Sequence, residues 1–101
     1  MIKKLTPAER RKSLPKGWRK TRGRDAVEKT FRFADFNAAF SWMTAVALYA
    51  EKTDHHPEWH NVYATVSVTL TTHDAGGVSA RDIAMAKFME RTAKAFGGRG
   101  K

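Results

Sequence analysis

The chain has 101 residues with 42% hydrophobic residues, including three Trp and six Phe, so residues 1–101 form one domain and global disorder is excluded. The absence of cysteine excludes disulfides, thiolate catalysis and a cysteine-ligated zinc site. The formal net charge is +9 at pH 7, and ten of the 19 Lys and Arg lie within residues 1–24. No apolar run is long enough for a signal peptide or a membrane span, which predicts a soluble, cytoplasmic protein without a membrane partner.

The first predicted element is a short helix within a basic N-terminal arm, residues 1–14. Thr6 and Glu9 form a capping box around Pro7 at the first helical position, and the helix is expected to end at Leu14. The cations of this arm could bind a nucleic acid or another anionic partner. The alternative interpretation is a solvated surface, which strong and salt-dependent binding to duplex DNA or RNA would exclude.

A hairpin and a long helix are predicted next. Strands are expected at residues 18–22 and 26–33 around a turn at residues 23–25, and Asp35 is the expected N-cap of a helix that ends near Lys52. Apolar residues at steps of three and four give this helix a wide apolar stripe. The predicted stripe consists of Phe36, Ala39, Phe40, Met43, Val46, Ala47 and Ala50.

From Trp59 the polarity alternates with a period of two over a length that is unusual for one strand. We expect a turn near residues 63–65 to divide this segment into a second hairpin. One face of the segment should carry Val62, Ala64, Val66, Val68 and Leu70.

The last predicted element is a helix that follows a loop at residues 73–77. Ser79 and Asp82 begin it as a variant of the capping box, and two glycines end it before a flexible tail over residues 97–101. Its inward residues are expected to be Ile83, Ala84, Phe88 and Ala95. The sequence therefore predicts an α+β fold: a four-stranded antiparallel sheet with helices packed on one face, in the order α-β-β-α-β-β-α.

Three of the four histidines are candidates for proton transfer. His55 and His56 are adjacent, and Pro57 favours extended geometry at His56, so the two rings should point to opposite sides. His73 follows the second hairpin, and pairing of its strands would bring His73 back toward the histidine pair. Because imidazole exchanges protons near neutral pH, a cleft lined by three such rings suits acid–base catalysis. For each histidine alone, a capping or core role is the alternative.

A metal site is a competing interpretation, since His56 and His60 have the spacing of two ligands on one helical face. The segment after Pro57 is predicted to be a strand, however, where this spacing separates the rings by about 13 Å. We therefore predict no metal ligands. His60 follows Trp59 and should face away from the Trp59 side of the strand, so we assign it to the surface.

Other residues near the histidines could complete a binding site. Trp59 and Trp18 could each form a flat wall for a planar heterocycle, or pack in the core. Arg81 at a helix start could contact an anionic or polar group, or remain solvated. Glu51 and Asp54 flank the histidine pair and could orient an imidazole and fix its tautomer.

The segments that carry these residues resemble the pterin-4a-carbinolamine dehydratase family. The similarity covers about residues 17–95, and a histidine pair, a proline, a tryptophan and a distant Thr-His at near-fixed spacing form a specific signature. The matching segments are EKTDHHPEW (51–59), NVY (61–63), LTTHD (70–74), GVS (77–79) and RD (81–82), with upstream matches at residues 17–18, 23–26, 31–33, 35–36, 40 and 43–44.

The resemblance implies an activity as well as a fold. Members of the family remove water from 4a-hydroxytetrahydropterin and release quinonoid dihydropterin, as part of tetrahydrobiopterin recycling for aromatic amino acid hydroxylation, without metal or other cofactor. Three positions match the catalytic histidines: His55 and His73 as general acids, and His56 as a substrate-binding residue that can accept a proton. The positions that line or support the pterin pocket are matched by Glu51, Asp54, Trp59, Trp18 and Arg81.

Two features leave a second class of function open. The N-terminal arm is more basic than the family pattern, and some family members also bind a transcription factor. The alternative to an enzyme is therefore a binding module that uses the arm on nucleic acid or a protein partner. Small size and family habit further predict a homodimer or homotetramer.

Overall fold

The computed structural model describes residues 2–100. It confirms the α+β fold and the predicted order of elements. The elements are α1 (Pro7–Ser13), β1 (Arg19–Lys20), β2 (Val27–Arg32), α2 (Phe36–Thr53), β3 (Glu58–Val62), β4 (Thr65–Leu70), a 3₁₀ turn (His73–Ala75), α3 (Ala80–Ala95) and β5 (Arg99–Gly100). Among the described residues, no helix combines the length and apolar character required to cross a bilayer.

The sheet is antiparallel with the strand order β1-β2-β4-β3. β2 pairs with β4 from Val27 opposite Leu70 to Arg32 opposite Thr65, which makes these two strands the centre of the sheet. β3 and β4 form the second hairpin, and Tyr63 in the turn between them has a left-handed φ of 50°. The turn predicted near residues 63–65 is therefore confirmed.

This turn corrects the predicted alternation at one position. Val62 pairs with Thr65 at the end of the hairpin and is exposed, whereas Ala64, Val66, Val68 and Leu70 are buried as predicted. Paired residues of a hairpin lie on the same face of the sheet, so Val62 shares a face with Thr65 and lies opposite the buried face of Val66.

The C-terminal segment was expected to be a flexible tail over residues 97–101. Instead, Arg99 and Gly100 form the short strand β5, which pairs with Phe31 and Arg32 of β2. Lys101 lies outside the described residues. β5 therefore extends the sheet beside one end of β2, where β1 does not reach.

The core lies between one face of the sheet and the helices α2 and α3. Trp42 of α2 is fully buried, with ring centroids 4.7 Å from Phe31, 5.2 Å from Phe33 and 6.4 Å from Trp59. The predicted stripe of α2 omitted Trp42 and was wrong at Phe36 and Phe40, which are 46% and 54% exposed, and at Ala47, which is also exposed. The buried stripe is Ala39, Trp42, Val46 and Ala50, which keeps the helical spacing but is rotated on the helix.

The inward face of α3 also differs from its prediction. Ile83 is buried as expected, but Ala84 and Ala95 are exposed and Phe88 is half-buried, stacked on Tyr49 at 4.3 Å. The other buried residues of this helix are Asp82, Met85, Ala86, Met89 and Ala93. The core face of α3 thus begins with a carboxylate.

The N-terminal segment is attached to the loop before α3. The Leu5 amide donates to the Val78 carbonyl at 2.8 Å, and Lys4 forms an isolated β-bridge with Ser79. Arg10 of α1 is 6% exposed and donates to Asp25 Oδ1 at 2.7 Å. The helix has the predicted capping box at Thr6.

Candidate active site

The histidine pair lies where the chain reverses between α2 and β3. Asp54 ends α2 in the left-handed conformation (φ 52°, ψ 44°), and the next amide, that of His55, donates back to the Ala50 carbonyl at 3.1 Å. Such a C-terminal turn satisfies a helix carbonyl and directs the chain away from the helix. His55 is thereby directed inward, and it is 8% exposed.

The imidazole of His55 is held by a buried carboxylate. Its Nε2 lies 2.7 Å from Asp82 Oδ1, and Asp82 is completely buried. The other oxygen, Oδ2, accepts bonds from the Thr72 hydroxyl at 2.7 Å and the Ser79 amide at 2.9 Å. A carboxylate accepts at both oxygens, so the His55 ring carries a proton on Nε2, which leaves Nδ1 to exchange a proton with another partner.

The local sequence of α3 explains why a carboxylate occupies this position. Ser79 is the N-cap and Asp82 the third helical residue, and each bonds the other's backbone amide in a complete capping box. The positive end of the helix dipole also favours an anion at this place. The same carboxylate therefore caps α3 and binds His55.

His56 forms a similar bond in a different environment. Its Nε2 lies 2.6 Å from Glu51 Oε1, but the side chains are 54% and 79% exposed. Water and salt screen such a pair, so it fixes the ring less firmly than the buried bond of His55.

His73 begins the 3₁₀ turn directly after Thr72 and is exposed. It lines a depression of about 250 Å³ together with Arg24, Asp25, Thr71, Thr72, Gly76 and Gly77. Because Thr72 binds the carboxylate that holds His55, the start of this turn and the histidine pair are joined through Asp82. The pairing of β3 with β4 explains this proximity, since it places Glu58 opposite Thr69.

An ion pair lies near His73. Arg24 binds both carboxylate oxygens of Glu58, at 2.8 and 2.9 Å. This hydrogen bonding lowers the pKa of Glu58, burial opposes the shift, and the positive charge of Arg24, with a smaller electrostatic contribution from the nearby His73, lowers the pKa further. Glu58 therefore stays anionic beside the exposed imidazole of His73.

The two tryptophans occupy different positions. Trp59 of β3 is half-buried against Trp42, and its partner in β4 is the buried Val68. Trp18 is 8% exposed, packs edge-on against Phe31 at 6.0 Å, and donates its indole N–H to Glu90 at 2.9 Å. These contacts are those expected if Trp18 packs in the core, which was the alternative to a role as a wall for a planar heterocycle.

Asp54 and Arg81 are exposed at the ends of two helices. Asp54 is the C-cap of α2, and the Arg81 amide donates to the Ser79 hydroxyl at 3.2 Å near the start of α3. His60 faces away from the helices, because it pairs with Ser67 between the inward positions of β3. Within residues 2–100, no group of three or more His, Asp or Glu is arranged to hold a metal ion.

Sequence reasoning identified Asp82 as a capping residue but did not identify it as the partner of His55, and it missed the site roles of Thr72 and Glu58. One signal for Asp82 was available: it precedes Ile83 at the start of the inward face of α3, where an unpaired carboxylate would be costly. No local signal pointed to Glu58, whose partner Arg24 is distant in sequence.

Among the signature residues, His55 and Thr72 are joined through Asp82. The sequence profile of the family described as Pterin 4 alpha carbinolamine dehydratase matches residues 3–92. The chain belongs to this family. Membership supports a dehydratase role, that of a hydro-lyase.

Curated relatives agree with this assignment. A protein of Rhodopseudomonas palustris (strain HaA2), provisionally named a pterin-4-alpha-carbinolamine dehydratase, is 58% identical over 96% of this chain and 98% of its own length. A protein of Jannaschia sp. with the same provisional name is 53% identical over 93% and 100%. A crystal structure from Brucella melitensis, titled transcriptional coactivator/pterin dehydratase, has a TM-score of 0.85 and 48% identity over 89% of this chain and 98% of that one.

Proposed function

We propose that this protein removes water from 4a-hydroxytetrahydropterin to give quinonoid dihydropterin, with His55, His56 and His73 as the acid–base groups. The observation that carries the proposal is the bond between the nearly buried His55 and the fully buried Asp82. A buried carboxylate that fixes the tautomer of an imidazole is a common arrangement for proton transfer. Family membership supplies the reaction class.

In the proposed mechanism, an imidazolium protonates the hydroxyl on C4a, the C–O bond breaks, and water leaves. A proton is then lost from the ring nitrogen system, which completes the double bond of the quinonoid product. His55 and His73 serve as general acids on the two faces of the pterin, each contributing about 10²- to 10⁴-fold. His56, oriented by Glu51, binds the substrate and can accept the released proton.

The proposed binding and supporting residues are Glu51, Asp54, Trp59, Arg81 and Trp18. Glu51 orients His56, and Asp54 turns the chain into the site. Trp59, half-buried in β3, provides a ring for stacking on the pterin. Arg81, exposed near the start of α3, contacts a polar edge of the pterin. Trp18 belongs to this set as a support of the sheet, through its packing on Phe31.

The biological setting proposed is tetrahydrobiopterin recycling for aromatic amino acid hydroxylation, with a homodimer or homotetramer as the working form. Exposed aromatic and aliphatic side chains on α2, which include Phe36, Phe40 and Leu48, are consistent with association. Light scattering of the purified protein measures the number of subunits directly.

Freshly generated 4a-hydroxytetrahydropterin, followed by ultraviolet absorbance, tests the proposed reaction. The protein should accelerate decay of the substrate above the buffer rate, and His55→Ala and His73→Ala should each lower the acceleration by about 10²-fold or more. His60→Ala is the matched control, because its side chain faces away from the helices, and should retain full activity. Rates of His55→Ala and His73→Ala within a few-fold of the unaltered protein contradict the mechanism.

A second candidate function is a binding module. The Brucella melitensis structure carries the word coactivator in its title, and this chain has a cationic N-terminal region. Saturable binding of a nucleic acid or protein partner, together with no acceleration of the dehydration, would favour this alternative.

A further inference from the structure

A second cavity, which shares Asp25 with the depression at His73 but is lined by no histidine, lies between α1 and the first strand. Its volume is about 530 Å³, within the range of small-molecule sites. Apolar groups from Leu14, Pro15 and Trp18 form part of its wall. Five cationic side chains and one carboxylate also line it: Arg10, Arg11, Lys16, Arg19, Lys20 and Asp25.

Internal partners already neutralise the carboxylate and occupy some of the cations. Asp25 Oδ1 accepts bonds from Arg10 at 2.7 Å and from the Val78 amide at 2.9 Å. Arg19 pairs with Glu28 at 3.2 Å, and Lys20 Nζ donates to a backbone carbonyl at 3.1 Å. Within residues 2–100, Arg11 and Lys16 have no ion-pair partner, so their charges remain available to a ligand.

Arg10 is the most deeply buried of the cations that line the cavity. It is 94% buried, and its Nε–H has no hydrogen-bond partner among the described residues. A buried donor without a partner costs free energy, and native structures normally satisfy such groups with a side chain, a water or a ligand. Arginine also presents donors in a planar arrangement that matches phosphate oxygens.

We infer that this cavity binds a small organic phosphate, with its phosphate oxygens on Arg10, Arg11 and Lys16 and its apolar part against Leu14 and Pro15. A multiply charged anion matches the excess of cations better than a monocarboxylate does. The proposal does not depend on the dehydratase reaction, because none of the three histidines lines the cavity.

The test is isothermal titration of the full-length protein at low ionic strength with pyrophosphate, ATP and, for comparison, adenosine and citrate. We expect saturable binding of ATP and pyrophosphate to one site, weaker binding of citrate and none of adenosine. Lys16→Gln should weaken ATP binding by about threefold to tenfold, and Arg11→Gln combined with Lys16→Gln by more than tenfold. The matched control Lys12→Gln removes another exposed lysine, which lies on α1 and does not line the cavity, and should leave the affinity for ATP unchanged.

Three results would overturn the inference. The first is no saturable binding of pyrophosphate or ATP. The second is equal loss of affinity in Lys12→Gln and Lys16→Gln, which would indicate a diffuse field of charge rather than a site. The third is tight binding of duplex DNA that pyrophosphate and ATP do not displace, with a steep salt dependence, which would assign these cations to a nucleic acid instead. Because the variants lie outside the histidine site, normal dehydratase activity in each shows that the fold is intact.

Discussion

His55 and His56 are neighbours in the chain, and each binds a carboxylate through Nε2 at nearly the same distance, 2.7 and 2.6 Å. The environments differ: Asp82 is fully buried and accepts two further bonds, whereas Glu51 is largely exposed. Two hydrogen bonds of nearly equal length therefore need not contribute equally to stability or to the orientation of the imidazole. The buried pair fixes a ring and a helix end together, and the exposed pair is weakened by solvent.

The largest expected difference between the two pairs is in stability. Asp82→Ala should lower the free energy of unfolding by about 3–5 kcal/mol, because His55, the Thr72 hydroxyl and the Ser79 amide lose their common acceptor. Glu51→Ala should change it by less than about 0.5 kcal/mol. Urea unfolding of both variants measures the difference, and similar values for the two would refute the comparison.

The two carboxylates should also differ in kinetics. Asp82→Asn keeps the shape of the side chain but no longer favours a proton on His55 Nε2, so kcat should fall by about 10²-fold with little change in KM. Glu51→Gln should raise KM a few-fold and leave kcat near its original value. Steady-state rates with 4a-hydroxytetrahydropterin separate the two parameters. A rise in KM with kcat unchanged for Asp82→Asn would show that this carboxylate is not a positioning residue for catalysis.

Asp25 extends the comparison to a carboxylate of intermediate burial. The Val78 amide lowers its pKa, burial opposes the shift, and Arg10 and Lys4 lower it further. A depressed pKa adds stability above the ordinary value of about 3.9 and loses it as pH falls through the folded value. Asp25→Asn should therefore cost about 1 kcal/mol at neutral pH, and its stability should converge with that of the unaltered protein in acid. Unfolding curves from neutral pH down to about pH 3 test this, and a constant gap over that range would contradict it.

The smallest predicted effect concerns salt. Raising ionic strength should screen the Glu51–His56 pair and shift KM toward the value of Glu51→Gln, by no more than a few-fold. The same salt should leave KM of Glu51→Gln itself unchanged, which makes this variant its own control. An equal response in both proteins would assign the salt effect to another charge.

The parts of the fold that sequence reasoning predicted correctly depend on local patterns. Period-two alternation gave the buried residues Val66, Val68 and Leu70, and capping chemistry gave the helix starts at Asp35 and Ser79. The apolar face of α2 was not predictable in the same way. Apolar residues surround most of that helix, so only contact with the sheet selects Trp42 over Phe40 for the core.

The candidate site also has one part that follows from local sequence patterns and another that depends on contacts between distant residues. Hairpin pairing correctly predicts that the start of β3 lies beside β4, because register follows from the alternation and the turn. The bond between His55 and Asp82 joins residues 27 positions apart on different elements, and no local pattern encodes it. The pairing of Arg24 with Glu58, 34 positions apart, escaped prediction for the same reason.

The attachment of the N-terminal segment to the loop before α3 affects which N-terminal deletions the protein can tolerate. Lys4 forms a β-bridge with Ser79, and the Leu5 amide donates to the carbonyl of the preceding residue, Val78. The Ser79 amide in turn donates to Asp82. Deletion of the first nine residues would remove these contacts and so weaken the position of Asp82, which holds His55. Activity lost on such a deletion should be regained if the missing peptide is supplied separately.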